Sequence, residues 1–212
     1  VPNSRSASAI SSLMPQPYAG PVIPAIPALA LAKLTANSHI PAMLERLMRR
    51  GKRSDTAPRK PPAAPPGCRV YAVGDIHGRR DLLEQAHRAI MDDARTGALL
   101  EKICIYIGDY VDRGADSAQV IDWLINQPPV PADAIINLMG NHEFMMLSAL
   151  AGVDKEAPTH WLMNGGADSL LSWGISRTVP PTEWAARIPR PHLLFLRDLG
   201  ISHPVGPYLF VH

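Results

Sequence analysis

Cysteine is almost absent: Cys68 and Cys104 are the only two in 212 residues. Two isolated thiols in a chain this long exclude a disulfide framework, so the expected compartment is a reducing cytoplasm. Aromatic residues make up 6% of the sequence, and Tyr18 is the only one before residue 67. Charge of one sign is scarce as well. Twenty-one Lys and Arg against 19 Asp and Glu leave a formal net charge of +2, which makes no case for a nucleic-acid partner. A long unbroken apolar run is also missing. The nearest approach, residues 18–36, is interrupted by Pro21, Pro24 and Pro27, which remove backbone donors and argue against a transmembrane segment. It has neither the basic start nor the clear cleavage site of a signal peptide.

Proline is plentiful but uneven: twelve of the 22 lie in residues 1–66. That composition buries too little apolar area to offset chain entropy, so residues 1–66 are expected to be a disordered, Pro/Ala-rich and basic segment. Residues 42–53 hold a possible short helix, with Met43, Leu44, Leu47 and Met48 on one face and arginines around the other. The plain reading is a solvated basic tail; the other is a weak contact with a membrane surface or partner. Met43 opens a plausible coding start, which would make residues 1–42 dispensable.

From Gly67 the pattern changes. Residues 68–73, 102–107 and 134–139 are apolar, β-branched runs, each stopped by a glycine, and read as buried strands. Between and after them, residues 81–94, 117–126 and 142–150 carry apolar residues at helical spacing. This β-α-β-α-β-α alternation predicts parallel strands joined by crossovers. Residues 160–173 and 190–199 read as further helices, and 200–203 and 208–212 as strands around a turn at 204–207.

Each of the first three strands runs into a polar cluster: Gly74-Asp75-Ile76-His77-Gly78, Gly108-Asp109-Tyr110-Val111-Asp112-Arg113-Gly114 and Gly140-Asn141-His142-Glu143. Ligands of open α/β sheets bind beyond the carboxyl ends of the strands, so the three clusters converge on one crevice. Asp75, His77, Asp109 and Asn141 offer carboxylate, imidazole and amide oxygen. One carboxylate bridges two cations, and Asp109, on the middle strand, is the natural bridge. Oxygen and nitrogen ligands without thiolate favour Mn, Fe or Zn over a structural zinc site. Two such ions about 3.5–4 Å apart hold a phosphate and generate a hydroxide nucleophile.

In this order and spacing, GDIHG, GDYVDRG and GNHE resemble the signature of the serine/threonine phosphoprotein phosphatases, members of the metallophosphoesterase superfamily, and most of all its small bacterial branch. The likeness runs from about Arg69 to His212. It implies an α/β fold, an αββα sandwich of mixed sheets whose first portion is present and whose closing strands lie beyond His212. Residues 67–212 would form this domain, incomplete at its C-terminus. It also implies roles. Asp75 and His77 bind the first metal, Asp109 bridges, and Asn141 and His212 bind the second. His142 donates a proton to the leaving alcohol, Asp112 orients and charges it, and Arg113 clamps phosphate. The metals are two divalent ions, Mn first, then Fe or Zn. The substrate is a phosphorylated protein or a small phosphoester, attacked in line by a metal-bound hydroxide.

Two rival readings stand beside this one. Diadenosine polyphosphate hydrolases share the first motif, but carry Ala where this chain has Asp112 and Asp where it has Glu143. The third reading is a chain that binds metal or phosphate without turnover, because the family's later Gly-His-Thr segment does not occur before His212. Glu143 is expected to support its loop by hydrogen bonding. Trp161 to Gly166 is expected to serve packing and a loop. His87, His160, His192 and His203 read as surface or core histidines.

Overall fold

The computed structural model describes residues 63–96, 100–126 and 132–212. The expectations for residues 1–62, the short helix at 42–53 included, lie outside them. Three strands, β1 (Cys68–Val73), β2 (Glu101–Tyr106) and β3 (Ala134–Asn137), form a parallel sheet in the order β1-β2-β3. Helix α1 (Arg80–Ala94) joins the first two and α2 (Ser117–Asn126) the next. The apolar spacing sets their inner faces: Leu83 and His87 are buried on α1, and Val120, Ile121 and Leu124 on α2.

The register explains why a site forms at one edge. Val73 pairs with Tyr106, and Tyr106 with Asn137, so all three strands end level. The loops that follow leave the sheet side by side. After β3 the chain enters α3 (Asn141–Ala151), then α4 (Ala157–Trp161), a π-helical turn (Leu162–Gly166) and α5 (Ala167–Ser172). Two further helices follow, α6 (Pro181–Arg187) and α7 (Arg190–Arg197).

The single helix expected at 160–173 is thus broken. Gly165, at φ +105°, interrupts it, a conformation that glycine adopts without steric penalty. Helix α6 was not foreseen. Its start carries Pro180 and Pro181, which read as loop but suit a first helical turn.

Strands β4 (Ser202–Val205) and β5 (Tyr208–Val211) make an antiparallel hairpin whose turn is only Gly206-Pro207. Pro204 and Val205, expected in the turn, belong to β4 and pair with Leu209 and Tyr208. The hairpin's approach is clipped to β3: Met139 N–H donates to the Gly200 carbonyl at 2.7 Å and Gly200 N–H to the Asn137 carbonyl at 2.9 Å. Ile105, Leu138 and Val205 form the apolar core between sheet and hairpin, with Val70, Ile136 and Phe210 packed around it. This packing delivers His212, just past β5, to the sheet edge.

Candidate metal centre

The three loops hold one another before any ligand is considered. The N–H groups of Ile76 and His77 both donate to the Asp109 carbonyl, at 2.9 and 2.8 Å, and Gly78 N–H donates to the Tyr110 carbonyl at 2.8 Å. Glu143, fully buried, staples the second loop to the third. Its Oε2 accepts from the Asp109 and Gly140 amides at 2.8 and 2.9 Å, and its Oε1 from Tyr110 and Val111 at 2.7 and 3.2 Å. Burial pushes the Glu143 carboxyl above its ordinary range, and the amide donors pull the other way. Every lone pair this engagement uses is unavailable for proton abstraction, so Glu143 is a loop support, as its sequence context suggested.

The backbone is held in unusual conformations here. His77, Asp109, Asp112 and Arg113 lie at φ +45°, +54°, +73° and +68°. Non-glycine residues in this left-handed region cost of order 1–3 kcal/mol each and cluster at functional sites. Gly108, at φ +106°, leaves no room for a side chain, because a Cβ there would strike the backbone of Gly140.

The donor groups meet around Asp109. Its Oδ2 lies 3.6 Å from His77 Nε2 and 3.4 Å from His212 Nε2, and its Oδ1 accepts the His142 amide at 3.1 Å. Asp75 Oδ2 is 4.0 Å from His77 Nε2. The donor atoms of Asp75, Asp109 and His212 lie within 4.8 Å of one another, and so do those of His77, Asp109 and His142. Asp109 belongs to both groups.

Both outer imidazoles are oriented by carbonyls. His77 Nδ1 bonds the Val111 carbonyl at 2.9 Å, and His212 Nδ1 the Ile107 carbonyl at 3.1 Å. A carbonyl only accepts, so each Nδ1 carries the proton, and in the neutral ring each Nε2 presents a lone pair inward. His212 Nε2 then faces Asn141 Oδ1 at 2.9 Å and Asp109 Oδ2 at 3.4 Å, three acceptors with no proton between them. A cation relieves that repulsion, so the residues fit divalent metal. His142 is engaged on both ring nitrogens. Its Nδ1 bonds Asp112 Oδ2 at 2.7 Å, and its Nε2 accepts from Arg113 Nη2 at 2.9 Å.

Asp112 is buried and fully engaged. Besides His142, it takes the Trp161 indole N–H on both oxygens, at 3.1 and 2.9 Å, and the Ser169 hydroxyl on Oδ1 at 2.6 Å. Its own N–H donates to the Oγ atoms of Ser117 and Ser169. Burial raises the Asp112 carboxyl above its usual range, opposed by these bonds. Arg113 spans the imidazoles of His77 and His142, Nη1 to His77 Nε2 and Nη2 to His142 Nε2, both at 2.9 Å. Behind it, Gly165 accepts the Arg113 N–H at 3.3 Å, and a Cβ on Gly165 would press on Arg113 at 2.9 Å.

All eight residues singled out from the sequence therefore meet at one edge of the sheet. Trp161 and Ser169 went unforeseen as site residues. They act on Asp112 from 49 and 57 positions away, and only the Gly165-Gly166 pair beside Trp161 hinted at a tight approach. His87 and His192 are buried as core histidines, whereas His160 lines a groove that begins at Asn141.

Comparison with known proteins identifies the family. Residues 68–198 match the family described as calcineurin-like phosphoesterase. The zinc-dependent endopolyphosphatase of Saccharomyces cerevisiae is 28% identical over 131 residues, 61% of this chain and 36% of that protein. Serine/threonine-protein phosphatase 1 of Salmonella typhimurium is 35% identical over 97 residues, 46% and 38% of the two chains. The symmetrical bis(5'-nucleosyl)-tetraphosphatase of Klebsiella pneumoniae is 29% identical over 108 residues, 49% and 35%. The chain thus spans little more than a third of the length of each of these relatives.

Proposed function

Because the chain belongs to the calcineurin-like phosphoesterase family, we propose that it is a hydrolase that removes phosphate from phosphoserine or phosphothreonine in proteins. Asp75 and His77 would hold one divalent ion, Asn141 and His212 the other, with Asp109 shared between them. Manganese suits this oxygen and nitrogen set best, with iron or zinc as alternatives. When bound, the ions supply positive charge to the phosphate oxygens and acidify water. No described helix is long and apolar enough to cross a membrane. The free thiols of Cys68 and Cys104 suit a reducing cytoplasm, here a bacterial one.

The observation that carries the substrate class is the buried His142–Asp112 pair at 2.7 Å. The names of the relatives point to three substrates: phosphoprotein, polyphosphate and dinucleotide tetraphosphate. The last two are anhydrides, whose leaving phosphate departs with little help. A serine alkoxide does not, and needs a proton as the bond breaks. Asp112 holds the Nδ1–H of His142 and stabilises the positive ring, so that Nε2 delivers a proton to the alkoxide oxygen. Trp161 and Ser169 keep Asp112 in place. Arriving phosphate draws the Arg113 guanidinium off the two imidazoles, and its planar fork then grips two phosphate oxygens.

The test is His142→Asn in the manganese-loaded protein, with a phosphoserine peptide, p-nitrophenyl phosphate and diadenosine tetraphosphate as substrates. The expected loss on the peptide is about 10²–10⁴-fold, with a far smaller loss on p-nitrophenyl phosphate, whose leaving group needs no proton. Equal losses on both, or a native protein that cleaves the dinucleotide and spares the peptide, would overturn the reading.

A further inference from the structure

A groove of about 710 Å³ opens beside the metal centre and shares Asn141 with it. Its floor is one stripe of α3: Asn141, Phe144, Met145 and Ser148, at i, i+3, i+4 and i+7. Phe144 is 40% exposed there, a large apolar side chain left open beside a polar centre. The opposite wall carries Asp154, Glu156, His160 and Asn164. Asp154 Oδ1 accepts the Glu156 N–H at 2.9 Å, which fixes the turn that presents both carboxylates. Among the described residues neither carboxylate has a cationic partner, and Lys155, between them in sequence, does not line the groove.

A floor that carries Phe144 and Met145, faced by two carboxylates with no cationic partner among the described residues, repels a polyphosphate tail and a second nucleotide phosphate. It suits an extended peptide that carries an apolar side chain and a cation. The stripe from Asn141 to Ser148 rises ~10 Å, about three residues of extended chain. Resting on the protein-phosphatase reading above, we infer that this groove binds the polypeptide flanking the phosphorylated residue and selects for Lys or Arg within about three positions of it. The phosphate sits at the metal centre, the adjoining backbone crosses Asn141, and the basic side chain reaches Asp154 and Glu156.

The experiment measures binding of fluorescent peptides to the manganese-loaded protein by anisotropy. Peptides carry Arg or Glu at the second and third positions on either side of a central serine. Each is made unphosphorylated and with a non-hydrolysable phosphonate in place of the phosphate. The Arg peptides should bind about 3–10-fold tighter than their Glu counterparts on at least one side, the size two partly exposed ion pairs give, and the gap should narrow as salt rises. Asp154→Asn with Glu156→Gln should erase the gap while leaving the contribution of the phosphonate unchanged. Asn at 154 keeps the oxygen that holds the turn. A phosphonate gain without any preference for Arg would overturn the groove assignment and leave the function standing. A preference for Arg that depends on the two carboxylates, without a phosphonate gain, would uphold the groove and overturn the phosphoprotein substrate. A preference that survives the double substitution would overturn the groove assignment.

Discussion

At the scale of single residues, the buried histidine His87 gives the clearest case of protonation coupled to folding. Trp123 Nε1 donates to its Nδ1 at 2.8 Å, and its Nε2 bonds the Tyr106 hydroxyl at 2.8 Å. An indole is only a donor, so Nδ1 must keep its lone pair and Nε2 its proton. A second proton would set two donors against each other, with the Arg80 guanidinium 5.0 Å from the same indole ring. Burial lowers the His87 pKa to about 4, with Glu84 opposing the shift. The unfolded chain takes up this proton first, so stability is flat above about pH 6.5 and falls as pH drops toward 4, by about 3 kcal/mol in all. Urea midpoints at pH 7.5 and 5 should fall less in His87→Gln than in the native protein. A parallel fall in both would show that other groups dominate. The sequence marked His87 only as a histidine outside any motif. Its partners sit 19 and 36 positions away, where no local pattern reaches. The ligand residues were legible for the opposite reason: each stands at a strand end, in a cluster of residue types that serve one chemistry.

At the scale of elements, the broken helix from Ala157 to Ser172 supports the His142–Asp112 pair. Trp161 packs edge-on against Trp184, while Gly166 lies so close that a Cβ would meet the indole at 2.5 Å. The indole N–H is thereby fixed on Asp112. Trp161→Phe keeps an aromatic ring and removes that donor. Activity on a phosphoserine peptide should drop about tenfold, with p-nitrophenyl phosphate hydrolysis nearly unchanged, since one charge-assisted hydrogen bond is worth about 1.5–3 kcal/mol. A uniform drop on both substrates would assign Trp161 to packing alone. The three parallel strands could be read to within two residues at their ends, because β-branched runs ended by glycine have few alternatives. The π-helical turn could not, because its need arises from Arg113, far away in sequence, which stands where a side chain on Gly165 would have to go. The hairpin turn was overestimated because Pro204 looks like a turn residue, yet proline is tolerated where a strand is short and at an edge.

At the scale of the whole molecule, the candidate ligands come from the ends of β1, β2 and β5 and from the start of α3. An ion that binds them ties the parallel sheet, the third loop and the hairpin together, and the unfolded chain offers no such site. Manganese should therefore raise the melting temperature and a chelator lower it, with a gain of about 2.7 kcal/mol at a free metal concentration a hundred times the dissociation constant. Thermal denaturation with and without metal measures this, and His212→Ala should reduce the gain by disconnecting the hairpin. No shift on adding manganese would argue against a site assembled across these elements.

The four left-handed residues have a consequence for selection. His77, Asp109, Asp112 and Arg113 hold the chain in conformations that glycine, and to a lesser degree asparagine, adopts more readily. A library screened for resistance to heat or protease alone, blind to turnover, should therefore accumulate glycine and asparagine at these positions. The same library screened for phosphate release should purge them. Durability and chemistry pull in opposite directions at the same four codons.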